Sequence, residues 1–363
     1  MKVTYPHMGT LNIVLNALLR EVDLEVVPPP PITKRTLELG IANSPEFACL
    51  PLKITLGNFL EALERGAELI IMAGGCGPCR FGYYAQVQRE ILTDLGCNFE
   101  MLVLEPPQSG WPDFLKQIRS LLGGLPVAAI RRGWILGWQK VKAIDWVEEE
   151  VERTRPVEPF SGQADRIFRD FLAQLDQTTT TSGIQRLTMA TLGDLQDLRN
   201  GQRANLQVGV VGEIYTVLEP AANQDLLRRL GSLGVEVRRK LRLSHWIGEH
   251  LTLNKKKKRR LRLELEKLAA PYLKHFVGGH GLESVGHTIE LCREGVAGVI
   301  QIAPLTCMPE IVAESVLPQV SADLSLPVLT LFVDEHTAEA GLQTRLEAFI
   351  DLLPARSISR KSI

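Results

Sequence analysis

The chain has 363 residues, of which 45% are hydrophobic and 23% charged, and its formal net charge is −1. This length suits two α/β domains, and the near-neutral charge excludes wholesale electrostatic attraction to nucleic acid or to an anionic membrane. The N-terminus lacks a signal-peptide pattern and no apolar run reaches about 18 residues, so we expect a cytoplasmic protein with no membrane partner. Six cysteines in such a chain are more typical of metal-binding, catalytic or buried thiols than of disulfides.

The first third of the chain alternates between short apolar strands and amphipathic helices, which is the pattern of an α/β domain. The predicted strands are residues 2–5, 25–27, 69–72 and 99–104. The predicted helices are residues 9–22, 33–39, 54–65, 80–95 and 112–122. Ser44-Pro45-Glu46 has the pattern of a further helix start, which leaves Cys49 on an irregular segment before the helix at residue 54.

The middle of the chain, residues 127–200, is predicted to be helical without strands, and a second α/β pattern follows it. Trp134, Trp138 and Trp146 share one broad helical face, so we expect them in the core. The later predicted strands are residues 206–211, 234–239, 299–303 and 328–333. We therefore predict an α/β protein with two Rossmann-like parallel-sheet domains, residues 1–125 and 204–363, joined by a helical segment, residues 126–203.

The turn that carries Cys76 and Cys79 is the most informative stretch of the first domain. The strand at residues 69–72 ends at Gly74-Gly75, and a helix is predicted from residue 80. The free N–H groups and the dipole at a helix start favour thiolate over thiol. Two thiols three positions apart form either a redox dithiol or two ligands of a soft metal centre. The structural alternative is a glycine-rich turn with inert thiols.

Cys307 occupies the same kind of strand-to-helix turn in the second domain, with Pro309 at the start of the next helix. Because ligands of open parallel sheets bind at the carboxyl ends of strands, two facing domains would bring Cys76, Cys79 and Cys307 together. Cys49 would join them if its loop folds over the same edge. Four thiolates suit Zn²⁺ or an iron–sulfur cluster, and their wide spread in sequence favours a cluster at the interdomain cleft. Cys97 and Cys292 are interpreted as structural.

Two rival interpretations come from other stretches. The sequence Cys76-Gly77-Pro78-Cys79 is also the active-site sequence of thioredoxins, which would make the protein a dithiol-disulfide oxidoreductase. The length of the chain, and Gly75 where thioredoxins carry a tryptophan, argue against it. The basic run at residues 255–260 is either a solvated helix face or a docking surface for an acidic partner, and the glycine loop at residues 278–281 is a tight turn or an anion site.

Six motifs together resemble the family of uncharacterised proteins related to the 2-hydroxyacyl-CoA dehydratase and benzoyl-CoA reductase subunits. They are YPHMG near the N-terminus, SPEFACLPLKITLGN around Cys49, GGCGPCRFGYY around Cys76 and Cys79, GEIYTVLEP after residue 211, QIAPLTCMPE around Cys307, and DEHTAEAGLQTRLEAF near the C-terminus. The resemblance covers most of both α/β regions.

The resemblance implies two Rossmann-like domains that hold a [4Fe-4S]-type cluster through Cys49, Cys76, Cys79 and Cys307, working at low potential in anaerobic metabolism. It also implies an ATP-dependent activase or another redox partner, and a homo-oligomer is compatible with it. In the dehydratases three cysteines hold the cluster and one iron stays open to substrate. Because a fourth thiol is present here, we expect electron transfer ahead of dehydration. A dehydratase-like or reductase-like enzyme with three ligands stays open, as does a scaffold that docks a partner ATPase.

Overall fold

The computed structural model describes residues 1–21, 24–75, 79–104, 127–251 and 255–353, without the side chains of residues 249–251, 255–259 and 261. The chain forms two compact units. Unit 1 consists of Met1–Ile144 and Gln174–Gln185. Unit 2 consists of Asp145–Ala173 and the chain from Arg186 onward. No described helix is both long enough and apolar enough to cross a lipid bilayer.

Unit 1 is built on a four-stranded parallel sheet whose order is β2-β1-β3-β4. Its strands are β1 (Lys2–Thr4), β2 (Glu25–Val26), β3 (Leu69–Ala73) and β4 (Glu100–Leu104). Its helices include α1 (Leu11–Glu21), α2 (Lys34–Asn43), α3 (Leu50–Glu64) and α4 (Tyr84–Asp94), with a 3-10 turn at Arg80–Tyr83 before α4. Val3 pairs with Val26 on one side and with Leu69 on the other, which places the apolar strand residues in the core.

Three long helices follow, and their residues are divided between the two units. They are α5 (Val127–Thr154), α6 (Gln163–Gln177) and α7 (Thr181–Arg199). Asp176 of α6 ties its segment to the rest of unit 1: its carboxylate accepts hydrogen bonds from Arg20 Nη2 at 2.9 Å and from Asn16 Nδ2 at 3.3 Å. Lys140 Nζ donates to the Asp176 carbonyl oxygen at 2.9 Å, and burial lowers the pKa of Lys140 to about 8.

Unit 2 contains a second four-stranded parallel sheet whose order is β6-β5-β7-β8. Its strands are β5 (Leu206–Gly212), β6 (Val235–Arg239), β7 (Gly298–Pro304) and β8 (Val328–Val333). The remaining helices are α8 (Ile214–Leu218), α9 (Pro220–Asn223), α10 (Leu226–Ser232), α11 (Leu243–Leu251), α12 (Lys255–Ala269), α13 (Gly281–Arg293), α14 (Met308–Leu324) and α15 (Glu339–Leu352). Every residue of β7 is buried, as expected for a central strand of a parallel sheet.

Both sheets have the strand order 2-1-3-4 when their own strands are counted along the chain. In such a sheet the chain passes from the first strand to the second on one side and then returns to the third on the other side. The carboxyl ends of the first and third strands flank this topological switch point, where open α/β sheets bind their ligands. In unit 1 these strands are β1 and β3, and in unit 2 they are β5 and β7.

The predicted α/β class and the parallel sheets are confirmed, whereas the predictions for the segment before α3 are wrong. Residues 44–46 do not start a helix: α2 ends at Asn43, and α3 begins at Leu50, four residues earlier than predicted. Pro51 permits this early start because proline lacks an N–H and suits the first turn of a helix. The predicted helix at residues 112–122 lies outside the described residues.

The tryptophans of α5 are not core residues as expected. Trp134 is 38% exposed and Trp146 is 58% exposed, while Trp138 is only partly buried. The smaller side chains carry the buried face of this helix at three- to four-residue spacing; they are Val141, Ile144, Val147 and Val151.

Helices α2 and α3 pack closely enough to fix the position of the start of α3. A Cβ atom on Gly40 would lie 1.9 Å from the Lys53 carbonyl oxygen, and one on Gly57 would lie 1.9 Å from that of Thr36. Thr36 Oγ1 also donates a hydrogen bond of 2.6 Å to the buried carboxylate of Glu61. This interface allows no larger residue at either glycine without moving the backbone.

Candidate cysteine site

Three of the four cysteines predicted as ligands lie in the described residues, and each of them immediately precedes a helix. Cys49 is the N-cap of α3, Cys79 is the N-cap of the 3-10 turn before α4, and Cys307 is the N-cap of α14. All three have extended backbone, with ψ between 101° and 153°. N-cap positions usually carry serine, threonine, asparagine or aspartate, so a general capping preference does not account for three cysteines there. Helix starts favour the thiolate form, which is the form that binds metals.

In unit 1 the cysteine turn follows β3, one of the two strands at the switch point. Gly74 N donates to the Leu104 carbonyl oxygen at 2.8 Å, so the chain is still held by the sheet just before this turn. Cys76 lies outside the described residues. Beyond it, Gly82 N donates to the Cys79 carbonyl oxygen at 3.2 Å, and a Cβ on Gly82 would lie 2.7 Å from the Gly75 carbonyl oxygen. The backbone on either side of the turn is therefore in close contact.

Cys49 lies beside the segment that follows Cys79. Its Sγ atom forms a buried hydrogen bond with the hydroxyl of Tyr84, five residues beyond Cys79. Arg80 Nη1 donates to the Phe47 carbonyl oxygen at 2.9 Å, which makes a second link between the same two segments. Unit 1 thus brings the start of α3 and the chain after Cys79 to one place.

In unit 2 the turn before Cys307 has an unusual backbone conformation. Cys307 N donates to the Pro304 carbonyl oxygen at 3.0 Å, which closes a four-residue turn at the end of β7. Thr306, the third residue of this turn, has φ of 70°, in the left-handed region that β-branched residues rarely adopt. Such conformations cluster at functional sites. The start of α13 lies against the start of α14, which follows this turn, because a Cβ on Gly281 would lie 2.3 Å from the Pro309 carbonyl oxygen.

A buried carboxyl group lies one helical turn beyond Cys307. Glu310 is completely buried, and its carboxylate lies 3.0 Å from Ser284 Oγ and 2.8 Å from Gln301 Nε2. Burial raises the pKa of Glu310 to about 7; hydrogen bonds from Gln301 and Ser284 oppose the shift, and the neighbouring charge of Glu213 adds to it. This carboxyl is placed to hold a proton near neutral pH.

Glu213 lies at the end of β5, the other strand at this switch point. It is the N-cap of α8, and its carboxylate accepts hydrogen bonds from the backbone N–H groups of Tyr215 at 3.0 Å and of Thr216 at 2.9 Å. Burial raises the pKa of Glu213. Its neighbour Gly212 has φ of 143°, and a Cβ there would lie 1.8 Å from the Ile302 carbonyl oxygen, so glycine is required for the close approach to β7.

Sequence reasoning did not single out Glu213 or Glu310. The signal was present, because Glu213 belongs to the motif GEIYTVLEP and Glu310 to QIAPLTCMPE. No family model matches this chain, and a search of curated proteins gave no match. Within the described ranges, no group of three or more His, Cys, Asp or Glu side chains is arranged to hold a metal ion.

The remaining sequence motifs have structural explanations. Cys97 packs against the core beside α4, where burial raises its pKa, and Cys292 packs against the apolar residues around β7. Gly278 and Gly279 have φ of 88° and 47°, which makes the glycine loop a tight turn that requires glycine. The basic run at residues 255–260 forms the first turns of α12. The prediction that this run lies in front of the helix is therefore wrong.

Proposed function

We propose that this chain is an iron–sulfur protein whose [4Fe-4S]-type cluster is held by Cys49, Cys76, Cys79 and Cys307 and transfers low-potential electrons. When bound, the cluster would supply one-electron chemistry. The observation that carries the proposal is the position of three cysteines at helix starts, with Cys79 and Cys307 in the connections that follow β3 and β7, one strand of each switch point.

The donor atoms fit this group. Soft thiolates are the preferred ligands of iron–sulfur clusters, and the contact between Cys49 and Tyr84 supports Cys49 and Cys79 as ligands of one site in unit 1. The proposed set is completed by Cys76, whose spacing from Cys79 is that of ordinary cluster ligands, and by Cys307 of unit 2.

Full cysteine ligation favours an electron carrier over a dehydratase, because an iron with four sulfur ligands has no position for a substrate oxygen. In this proposal a partner of the ATP-dependent activase type reduces the protein. The basic residues 255–260 at the start of α12 are the proposed docking surface for that acidic partner.

The test is anaerobic purification followed by analysis of iron, acid-labile sulfide and EPR spectra. Wild-type protein is expected to contain a cluster, and Ser substitution of any of the four proposed ligands should remove most of the iron. Cys97→Ser and Cys292→Ser are matched controls, because both residues pack against hydrophobic clusters, and they should keep the iron. Absence of iron and sulfide from wild-type protein would refute the proposal.

The same variants test the rival interpretations. A dithiol oxidoreductase that uses Cys76 and Cys79 predicts that Cys49→Ser and Cys307→Ser keep full disulfide reductase activity. A three-ligand enzyme predicts that one of the four substitutions leaves the iron content unchanged. Zinc in place of iron would indicate a structural site.

A further inference from the structure

The hydroxyl group of Tyr84 forms a hydrogen bond with the sulfur of Cys49. Tyr84 is the first residue of α4, and both its side chain and that of Cys49 are buried. Their hydrogen bond joins the N-cap of α3 to the start of α4 across 35 positions of sequence. It therefore depends on the tertiary packing of unit 1 and not on local sequence.

The packing of α4 against α3 fixes this contact. One turn after Tyr84, the buried side chain of Gln88 donates to Thr55 Oγ1 at 2.7 Å and lies 3.4 Å from the Leu52 carbonyl oxygen. The Phe81 ring packs edge-on against the Tyr84 ring, with centroids 5.3 Å apart. Tyr84 is thus held from two sides with its hydroxyl at the sulfur.

The direction of the hydrogen bond follows from the chemistry of a bound cysteine. A sulfur that ligates iron is a thiolate and has no proton to donate, so the Tyr84 hydroxyl must be the donor. A hydrogen bond to a ligating sulfur withdraws electron density from it and stabilises the reduced centre.

We propose that Tyr84 is a positioning residue that orients Cys49 and raises the reduction potential of the centre bound there. The proposal rests on the proposed function, because it requires Cys49 to be a ligand. It assigns to the hydroxyl a tuning role that a purely structural tyrosine would not have.

The test compares Tyr84→Phe with Tyr83→Phe in EPR-monitored redox titrations of the anaerobically purified protein. Tyr83 is the matched control, because it is the adjacent tyrosine and 74% of its surface is exposed. The Tyr84→Phe protein should keep its iron and show a more negative potential, while Tyr83→Phe should match the wild type. Equal potentials in all three iron-loaded proteins would overturn the assignment.

A second variant covers the case in which Tyr84→Phe loses iron. Replacing Tyr84 by 3-fluorotyrosine keeps the shape of the ring, leaves the hydroxyl protonated at neutral pH and makes it a stronger donor, so the potential should move in the positive direction. An unchanged potential with this residue would overturn the proposal even if Tyr84→Phe does not load. Wild-type protein without iron would overturn the proposed function itself, and iron-loaded proteins with equal potentials would overturn only the role of Tyr84.

Discussion

Gly82 lies against the carbonyl oxygen of Gly75, so that a methyl group at Gly82 would come within 2.7 Å of that oxygen. The two glycines bracket the turn that carries Cys76 and Cys79, and the obstacle is backbone, which cannot rotate away as a flexible side chain does. The space at Gly82 therefore sets how closely the described backbone at Gly75 and at Gly82 can approach.

Gly82→Ala should destabilise the protein by about 1–3 kcal/mol, the usual cost of overpacking, and should lower its iron content. Thermal unfolding and iron analysis of the same preparation check both effects. Gly193→Ala is the control, because a Cβ there has open space around it and α7 is a regular helix. That variant should be slightly more stable than the wild type, since alanine favours helix over glycine by roughly 1 kcal/mol. Equal behaviour of the two variants would contradict the prediction.

The stability of the protein should depend on pH through Glu310. Because burial raises its pKa from 4.5 to about 7, the folded chain binds this proton more tightly than the unfolded chain does. The buried proton on Glu310 contributes roughly 3 kcal/mol to the free energy of unfolding. This contribution is fully present below about pH 4.5 and is lost as the pH rises through about 7.

Denaturant unfolding of wild type and Glu310→Gln at about pH 5 and about pH 8 measures this contribution. The free energy of unfolding of the wild type should fall more between these pH values than that of the variant. The pKa of Glu213 is raised as well, and Glu213 is present in both proteins. Only the difference between the two proteins in how far their free energy of unfolding falls between these pH values therefore reports on Glu310. An equal fall in both proteins would show that Glu310 does not hold a proton in the folded chain.

The buried ion pairs of unit 2 should tolerate little change. Glu152 accepts hydrogen bonds of 2.6 Å from both Arg239 and Arg242, and all three side chains are at most 7% exposed. Burial alone would raise the pKa of Glu152, but the charges of Arg239 and Arg242 lower it overall. Glu152→Gln removes a negative charge that pairs with both buried arginines. The substitution should therefore lower the free energy of unfolding by roughly 3 kcal/mol.

Chemical denaturation checks this cost against Glu264→Gln as the control. Glu264 pairs with Arg260 on the exposed surface of α12, and loss of such a pair changes stability little. Glu148 also forms ion pairs with Arg239 and Arg242. A Glu152→Gln protein as stable as the control would show that Glu148 is enough to balance the two arginines.

The basic start of α12 should control the reaction with a partner. Replacing residues 255–260 by glutamine should slow reduction of the protein by an ATP-dependent activase and weaken the salt dependence of that rate, with the iron content unchanged. Lys267→Gln combined with Lys274→Gln is the control, since both lysines are exposed and lie outside the run. Equal rates for the two proteins would remove the basic run as a docking surface.

Local patterns in the sequence were enough to predict the strands. The apolar run at residues 69–72 became β3, Leu69–Ala73, and residues 328–333 became β8 without change. The start of α3 was missed, because the segment around Cys49 was interpreted as irregular, whereas the helix begins at Leu50 and accepts Pro51 in its first turn.

The contacts that build the site could not be predicted in this way. Cys49 meets Tyr84, and Glu310 meets Ser284, only after the strand order and the packing of helices on the sheets are fixed. The periodicity of a sequence specifies which face of an element is apolar but not which distant element covers it. The motifs around these residues were visible, whereas their partners were not.

The division of the chain has a consequence for synthesis on the ribosome. Unit 1 ends with Gln174–Gln185, which emerges only after Asp145–Ala173 of unit 2 has been made. Until Asp176 has left the exit tunnel, Arg20, Asn16 and Lys140 lack the hydrogen-bonding partner that they have in the finished protein. Unit 1 therefore cannot be completed until the first segment of unit 2 has been synthesised, and a nascent chain that pauses near residue 144 carries a first unit that still lacks Gln174–Gln185.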